Sequence, residues 1–249
     1  MSGHSKWATI KHKKGAADAK RGKMFSRLAK EIMIVAKSGG DPNMNASLRN
    51  LIAKAKATNM PNENIDRAIK KGTGELQAES YEEIMYEGYA SGSVGLVVHV
   101  LTPNKNRAAA EIRNIFKKNN SDFASQGAVS RSFERKGQIL IAKKAGLTED
   151  GLMEIVLNAG ADDMTADDGG FEVLCQPAAY TDVCVALEKA GIVAEESEVK
   201  LIPMTTVSVT DVAVANQVNK FINALEDNED VQNVYHNMDI ADEIADSVE

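Results

Sequence analysis

The chain is poor in cysteine and has no long apolar run. Its two cysteines, Cys175 and Cys184, are too few for a disulfide framework or for a metal cage of thiolates. No segment approaches the ~18–20 apolar residues that span a bilayer, and the N-terminus lacks the apolar stretch of a secretory signal. We therefore expect a cytoplasmic protein with reduced thiols and no membrane partner.

Recognisable catalytic patterns are also missing. The sequence has no Gly-x-x-x-x-Gly-Lys-[Ser/Thr] loop for a phosphate, and its four histidines, His4, His12, His99 and His236, are scattered. The acidic stretch 162–168 is more typical of a tight turn than of a cation loop. We predict a protein that is not an enzyme and that uses no cofactor, no metal and no small-molecule substrate.

Positive charge is concentrated at one end of an acidic chain. Residues 1–75 hold 16 of the 29 lysines and arginines but only 6 of the 36 aspartates and glutamates, a net charge of +10. The remaining residues carry a net charge of −17. A chain polarised in this way typically has one end that meets a polyanion, so nucleic acid is the predicted partner.

Residues 4–23 have almost no apolar periodicity and read as a basic arm or a frayed helix whose order depends on a partner. A solvated basic tail without a specific role is the alternative. Trp7 favours the first interpretation if its indole stacks on a base, but a lone tryptophan also often anchors a segment to the protein's own core.

From Met24 onwards, apolar residues recur at helical spacing in three segments. The inner faces are predicted to be Phe25, Leu28, Ile32, Val35 and Ala36, then Leu48, Leu51, Ile52 and Ala55, then Ile65, Ala68 and Ile69. Three short helices can share one small core and show a basic outer surface. The candidate nucleic-acid-binding residues are Lys6, Trp7, Lys11, His12, Lys13, Lys14, Lys20, Arg21, Lys23, Arg27, Lys30, Arg49, Lys54, Lys56, Arg67, Lys70 and Lys71.

A possible second contact lies in the loop from Thr102 to Arg107, between a buried strand and a helix. The free N–H groups at a helix start favour an anion, and Lys105 and Arg107 add positive charge there. The alternative is a helix start capped by Asn104 with solvated cations. The residues alone leave the two interpretations open.

Beyond a polar linker that ends near Ser80, strands alternate with helices. Predicted strands are Ile84–Tyr89, Gly95–Leu101, Val129–Phe133, Ile139–Ala142, Phe171–Cys175, Val199–Ile202, Thr206–Val209 and Val234–Ile240. Predicted helices are Asn104–Lys118, Glu149–Asn158, Ala179–Ala190 and Val212–Leu225. A hairpin is predicted around residues 167–170, just before Phe171–Cys175. With its two strands, residues 137–203 have the order β-α-β-β-α-β, which is ferredoxin-like, and the flanking pieces complete a second unit of this kind.

The predicted fold class is therefore α+β, with one ferredoxin-like domain inserted in another; a single larger sheet is the alternative. We expect a basic three-helix domain over 1–77, a ferredoxin-like α/β domain over 78–134 plus 204–240, a second one over 135–203, and a frayed acidic tail over 241–249.

These residues resemble the signature of the YebC family, densely in the first 75 residues and more thinly over the rest of the chain. The matching motifs are Gly3-His-Ser-Lys-Trp7, Arg21-Gly-Lys23-x-Phe25, Lys30-Glu31-Ile32, Gly39-Gly40-x-Pro42, Leu48-Arg49, Ala55-Lys56, Asn59-Met-Pro61, Asn64-Ile65-x-Arg67-Ala-Ile-Lys-Lys-Gly-Thr-Gly74 and Tyr86-Glu-Gly-Tyr89.

The resemblance implies three domains, one helical and two α/β, with no enzymatic activity and no cofactor. It also implies two functions. Members of the family are described as DNA-binding transcriptional regulators, whereas mitochondrial relatives and some bacterial members are described as translational activators or ribosome-associated factors. We therefore predict a non-enzymatic nucleic-acid-binding regulator, with a factor that contacts ribosomal RNA on the ribosome as the alternative. A structural adaptor is a distant third possibility.

Overall fold

The computed structural model describes residues 17–77, 79–144, 146–167, 169–245, 247 and 248, and side chains from residue 22 onwards. The predicted contacts Lys6, Trp7, Lys11, His12, Lys13 and Lys14 lie outside these residues. Lys20 and Arg21 fall in the first helix, but their side chains are outside the described part.

The helices are α1 Ala17–Ala36, α2 Ala46–Ala57, α3 Asn62–Thr73, α4 Lys105–Lys118, α5 Glu149–Asn158, α6 Tyr180–Lys189, α7 Val212–Glu226 and α8 Asp242–Ala245. The strands are β1 Glu82–Tyr89, β2 Gly95–Thr102, β3 Asp122–Ala124, β4 Phe133–Ala142, β5 Ala161–Ala166, β6 Gly170–Cys175, β7 Glu196–Pro203, β8 Val207–Val209, β9 Val231–His236 and β10 Met238–Ile240.

Helices α1 to α3 form the helical unit, which confirms the predicted three-helix arrangement. Its core contains Leu28, Ile32, Leu48 and Ile65, all at most 3% exposed. Asn45 caps α2 by accepting the N–H of Leu48, and its amide donates to the carbonyl of Gly39, so one side chain fixes the turn between α1 and α2.

Helix α3 packs on α1 through Gly72. A Cβ at this position would lie 2.3 Å from the carbonyl oxygen of Met33. The helix continues to Thr73 and ends at Gly74, which adopts a left-handed conformation. Gly72 is therefore required for close helix packing rather than for the turn.

Two antiparallel sheets have the ferredoxin-like strand order. The strands of one sheet, β4 to β7, lie in the sequence between β3 and β9 of the other, so one unit is inserted in the other. The first α/β unit has the order β3-β1-β2-β9 with α4 and α7, and the inserted unit has the order β5-β6-β4-β7 with α5 and α6. In the first unit, β1 lies between β3 and β2. The corresponding position in the inserted unit, between β5 and β4, is held by its third strand, β6. Strands β8 and β10 pair in parallel as a small separate sheet.

Three predicted details are wrong. Val129–Phe133 is not a strand: a 3-10 turn covers Ser130–Ser132 and β4 starts at Phe133. The predicted strand Val234–Ile240 is divided at Asn237, whose side chain accepts the N–H of Gly95 while its carbonyl accepts the N–H of Val207. The tail is not frayed throughout, because it forms α8 and buries Val248 in the core of the first unit.

Glu87 explains why the connection between the two sheets is a turn. Its carboxylate accepts the N–H groups of Gly127, Val129 and Ser130 at 2.7–2.9 Å and the hydroxyl of Ser130 at 2.9 Å. Burial raises the pKa of Glu87, but the four hydrogen bonds outweigh burial and leave the pKa lowered. One β1 side chain therefore holds the start of the inserted unit.

We expect Glu87→Gln to lower the free energy of unfolding by about 1–3 kcal/mol at neutral pH. Glutamine replaces one carboxylate oxygen, which accepts hydrogen bonds from the backbone, by an NH2 group that can only donate. A carboxyl with a lowered pKa stabilises the fold above its unfolded pKa of about 4.3, and this stabilisation is lost as the pH falls through the folded-state pKa. Urea unfolding at about pH 7 and about pH 3 should show the difference between wild type and variant shrinking in acid. An equal difference at both pH values would contradict this role of the carboxylate.

Candidate nucleic-acid interface

Three predicted contacts on α1 face another part of the protein. Lys23, Arg27 and Lys30 are spaced at i, i+4 and i+7, so they share one face of the helix. They meet residues 226–230, which we call the acidic turn and which leads from the end of α7 into β9. The Nζ of Lys23 lies 2.8 Å from a carboxylate oxygen of Asp227, Arg27 donates to the carbonyl of Glu226 at 2.5 Å, and Lys30 donates to the carbonyl of Glu229 at 2.7 Å.

Asp230 is the buried end of this turn. Its carboxylate accepts the hydroxyl of Thr102 at 2.9 Å and the guanidinium of Arg107 at 2.7 Å, and one oxygen lies 3.7 Å from the Nζ of Lys30. The side chain is only 5% exposed. Burial lowers the pKa of Lys30 and outweighs the opposite effects of Asp230 and Glu229. The helical unit is thus held to the first α/β unit through a shared buried carboxylate.

The loop predicted as a second anion contact belongs to the same cluster. Asn104 caps α4 by accepting the N–H of Arg107, as in the alternative that the sequence left open. The guanidinium of Arg107 is bound to Asp230, and this hydrogen bond raises the pKa of Arg107. Lys105 is exposed and lies 3.8 Å from Glu82. A nucleic-acid contact at Lys105 and Arg107 stays a prediction.

Helix α2 meets the inserted unit. The Nζ of Lys54 lies 2.8 Å from Glu198 of β7, and the amide of Asn50 donates to the hydroxyl of Thr181 at 3.3 Å. Burial lowers the pKa of Lys54, but the attraction of Glu198, Glu31 and Glu196 more than offsets it, so the pKa is raised. Lys54, like Lys23, Arg27 and Lys30, is therefore engaged within the protein.

The other predicted cations of the helical unit point to solvent. Arg49 and Lys56 lie seven residues apart on the outer side of α2, and Arg67, Lys70 and Lys71 lie on the outer side of α3. All five are exposed. Within the described part of the chain, no carboxylate lies within ion-pair distance of them, and Arg49 donates to the carbonyl of Pro42. We call these five residues the open cation face.

Sequence reasoning missed the acidic turn and Glu198, the partners of the engaged cations. The signal was present as a cluster, Glu226-Asp-Asn-Glu-Asp230. It could not be linked to α1, because the pairs are separated by about 200 residues and no local pattern connects them.

Both cysteines belong to the apolar core of the inserted unit. Burial raises the pKa of Cys175 to about 11, and Cys184 lies 3.5 Å from the hydroxyl of Ser197. Among the residues described, no group of three or more histidines, cysteines, aspartates and glutamates is arranged to hold a metal ion. No helix in the described part of the chain is both long and apolar enough to cross a membrane.

Comparison with known proteins covers nearly the whole chain. Residues 5–75 match the model of the TACO1/YebC protein N-terminal domain, and residues 81–238 match that of the TACO1/YebC second and third domain. A relative from Geobacter sulfurreducens is 52% identical over 98% of both chains, and one from Syntrophobacter fumaroxidans is 49% identical over 100% of both. Both relatives are named probable transcriptional regulatory proteins.

The fold has a counterpart among solved structures. The crystal structure of a conserved hypothetical protein from Aquifex aeolicus matches with a TM-score of 0.81 and 41% identity, over 92% of this chain and 94% of that one. The sequence resemblance is therefore confirmed across the helical unit and both α/β units: the chain belongs to the TACO1/YebC family.

Proposed function

We propose that the protein is a non-enzymatic, nucleic-acid-binding regulator of gene expression that acts in the cytoplasm. The observation that carries the proposal is the open cation face, five exposed cations without a described carboxylate partner on an otherwise acidic chain. Such side chains are available to phosphates without the loss of an internal ion pair. The names of the relatives from Geobacter and Syntrophobacter support a regulatory role.

The contacts of α2 favour phosphate and shape recognition over the reading of base edges. A recognition helix must enter the major groove and present several side chains to bases. Asn50 and Lys54 of α2 are instead turned to the inserted unit, which leaves Arg49 and Lys56 on its outer side. Cations of this kind position a protein on a nucleic acid but carry little sequence information.

This restriction on α2 supports a second candidate, a ribosome-associated translation factor that contacts ribosomal RNA. Structured RNA is recognised largely by shape and phosphates, which suits an outward cation face beside acidic α/β units. A transcriptional regulator would need sequence preference from another surface. The two candidates share the open cation face and differ in the nucleic acid that it meets.

The acidic turn offers α1 a substitute for phosphate. Asp227 and Asp230 place carboxylate oxygens against Lys23 and Lys30, as a nucleic-acid backbone would. Lys23 and Asp227 are 44% and 71% exposed, so their ion pair is weak and open to competition by a polyanion. We infer that the acidic turn competes with nucleic acid for the cations of α1.

Crosslinking in living cells, followed by sequencing of the attached nucleic acid, tests the function. Discrete promoter DNA would support a transcriptional regulator, and ribosomal RNA at one locus would support a translation factor. Loss of the signal when Arg67, Lys70 and Lys71 are changed to glutamine is expected in either case. Absence of any enriched nucleic acid would contradict the proposal.

The double change of Lys70 and Lys71 to glutamine should weaken binding to a duplex of any sequence. It should also reduce the magnitude of the slope of log affinity against log salt by about 2, because each lost phosphate contact contributes about 0.9. Fluorescence anisotropy at several salt concentrations measures both quantities. The matched control changes the exposed neighbours Lys143 and Lys144, at the end of β4, to glutamine. An equal effect of the two pairs would mean that only net charge matters.

Asp227→Asn should raise the affinity for a duplex by about two- to five-fold, because it removes a carboxylate that competes with the duplex phosphates for Lys23. The gain should be largest at low salt, where exposed charges are least screened. The control Glu154→Gln makes the same change in net charge on the exposed side of α5, far along the chain from the acidic turn. If Glu154→Gln gave the same gain, competition by the acidic turn would be excluded.

A further inference from the structure

A cleft of about 470 Å³ lies where the helical unit and the two α/β units meet. Its floor is the face of the first sheet that is turned away from α4 and α7. Strand register places Met85 of β1, His99 of β2 and Asn233 of β9 in one row across this face. Tyr235 lies two residues further along β9 and also lines the cleft. The floor thus carries two ring side chains and a carboxamide.

The roof and walls come from the other two units. Helix α1 contributes Glu31, α2 contributes Asn50, and the inserted unit contributes Arg135 of β4 together with residues 197–201 of β7. The volume falls in the range of about 300–1,000 Å³ that small-ligand sites occupy, and sites of this kind often lie between domains.

Two charged side chains of the cleft, Glu31 and Arg135, are available to a ligand. Among the described residues, none donates a hydrogen bond to the carboxylate of Glu31. Burial raises the pKa of Glu31, and the attraction of Lys54 only partly opposes this. The guanidinium of Arg135 is exposed, and no described carboxylate lies within ion-pair distance. A ligand would therefore meet an acceptor at one point and a cation at another.

The two rings of the floor, His99 and Tyr235, are partly buried, and burial favours the neutral form of each. The side chain of His99 is 13% exposed, and burial lowers its pKa although Glu83, at 2.8 Å, opposes this, so burial favours the neutral imidazole. Burial is also the main cause of the raised pKa of Tyr235, followed by Glu198 and Glu31, with Arg135 opposing them. These charged groups line the same cleft as the phenol.

We propose that this cleft binds one unpaired nucleotide of a nucleic-acid strand, with its base against His99 and Tyr235 and its phosphate at Arg135. The inference rests on the proposed function and names the part of the ligand that the α/β units take. A base is flat and carries exocyclic amino groups, which fit the ring floor and the unused acceptor of Glu31. The helix-free face of a ferredoxin-like sheet is suited to stacking bases on ring side chains.

Base binding is coupled to the position of the helical unit. The floor belongs to the first α/β unit and the roof to α1 and α2, so the cleft is complete only while the acidic turn holds α1 and Glu198 holds Lys54. A nucleotide that contacts floor and roof stabilises this arrangement. The open cation face meanwhile remains available to neighbouring phosphates of the same strand.

The test uses the full chain and a single-stranded RNA of about 12 nucleotides in which 2-aminopurine alternates with uracil, since sites for single strands span about 4–16 nucleotides. Stacking in the cleft should quench the 2-aminopurine fluorescence. His99→Leu should weaken binding about ten-fold and reduce the quenching, because it removes one stacking ring at similar volume. His236→Leu, which changes a ring of β9 that does not line the cleft, is the matched control. Thermal unfolding checks that each variant folds.

The outcomes separate this proposal from the proposed function. Tight binding of the RNA without quenching, and with equal affinity for wild type and His99→Leu, would overturn base binding in the cleft and leave phosphate binding by the open cation face intact. Arg135→Gln gives an independent measurement. This change should weaken the binding of single-stranded RNA more than the binding of a duplex of the same length. Failure to bind either nucleic acid would overturn the proposed function itself.

Discussion

The arrangement of the helical unit against the first α/β unit depends on the contacts of one buried carboxylate, that of Asp230. It joins the end of β2 through Thr102, the first turn of α4 through Arg107 and the helical unit through Lys30. A buried charge is costly unless several groups neutralise and hydrogen-bond it. Each of these three elements therefore supplies one partner of the Asp230 carboxylate. If any one of them moved away, the carboxylate would lose a hydrogen bond or a neutralising charge.

The other ion pairs that hold the helical unit, Lys23–Asp227 and Lys54–Glu198, are partly exposed. The core of the helical unit, around Leu28, Ile32 and Leu48, is separate from the cores of both α/β units. Displacement of the helical unit therefore exposes no shared apolar core, and exposed ion pairs such as Lys23–Asp227 contribute only about 0–1 kcal/mol each. Such an interface is well suited to rearrangement by salt or by a polyanion.

Periodicity predicted the parts of the fold that local sequence controls. The inner faces of α1 to α3 and the ferredoxin-like order could be read from the spacing of apolar residues, because burial of one face imposes that spacing. The turn over Ser130–Ser132 could not be predicted, since its stability comes from Glu87, about 40 residues earlier in the chain. Its neighbour Val129, an apolar residue typical of strands, pointed to the wrong structure.

The candidate site shows the same division. A count of cations showed where positive charge is concentrated, but it could not tell Lys23 and Lys54, which bind carboxylates within the protein, from Lys70 and Lys71, which have no carboxylate partner among the described residues. The difference is decided by partners that are distant in sequence. A basic segment in an acidic chain can bind carboxylates of the protein itself, as α1 binds the acidic turn. Each cation that the fold engages orients the helical unit and, under the proposed function, is withheld from nucleic acid. Docking of the helical unit would therefore oppose the proposed phosphate binding by α1, whereas the proposed base binding in the cleft would require it.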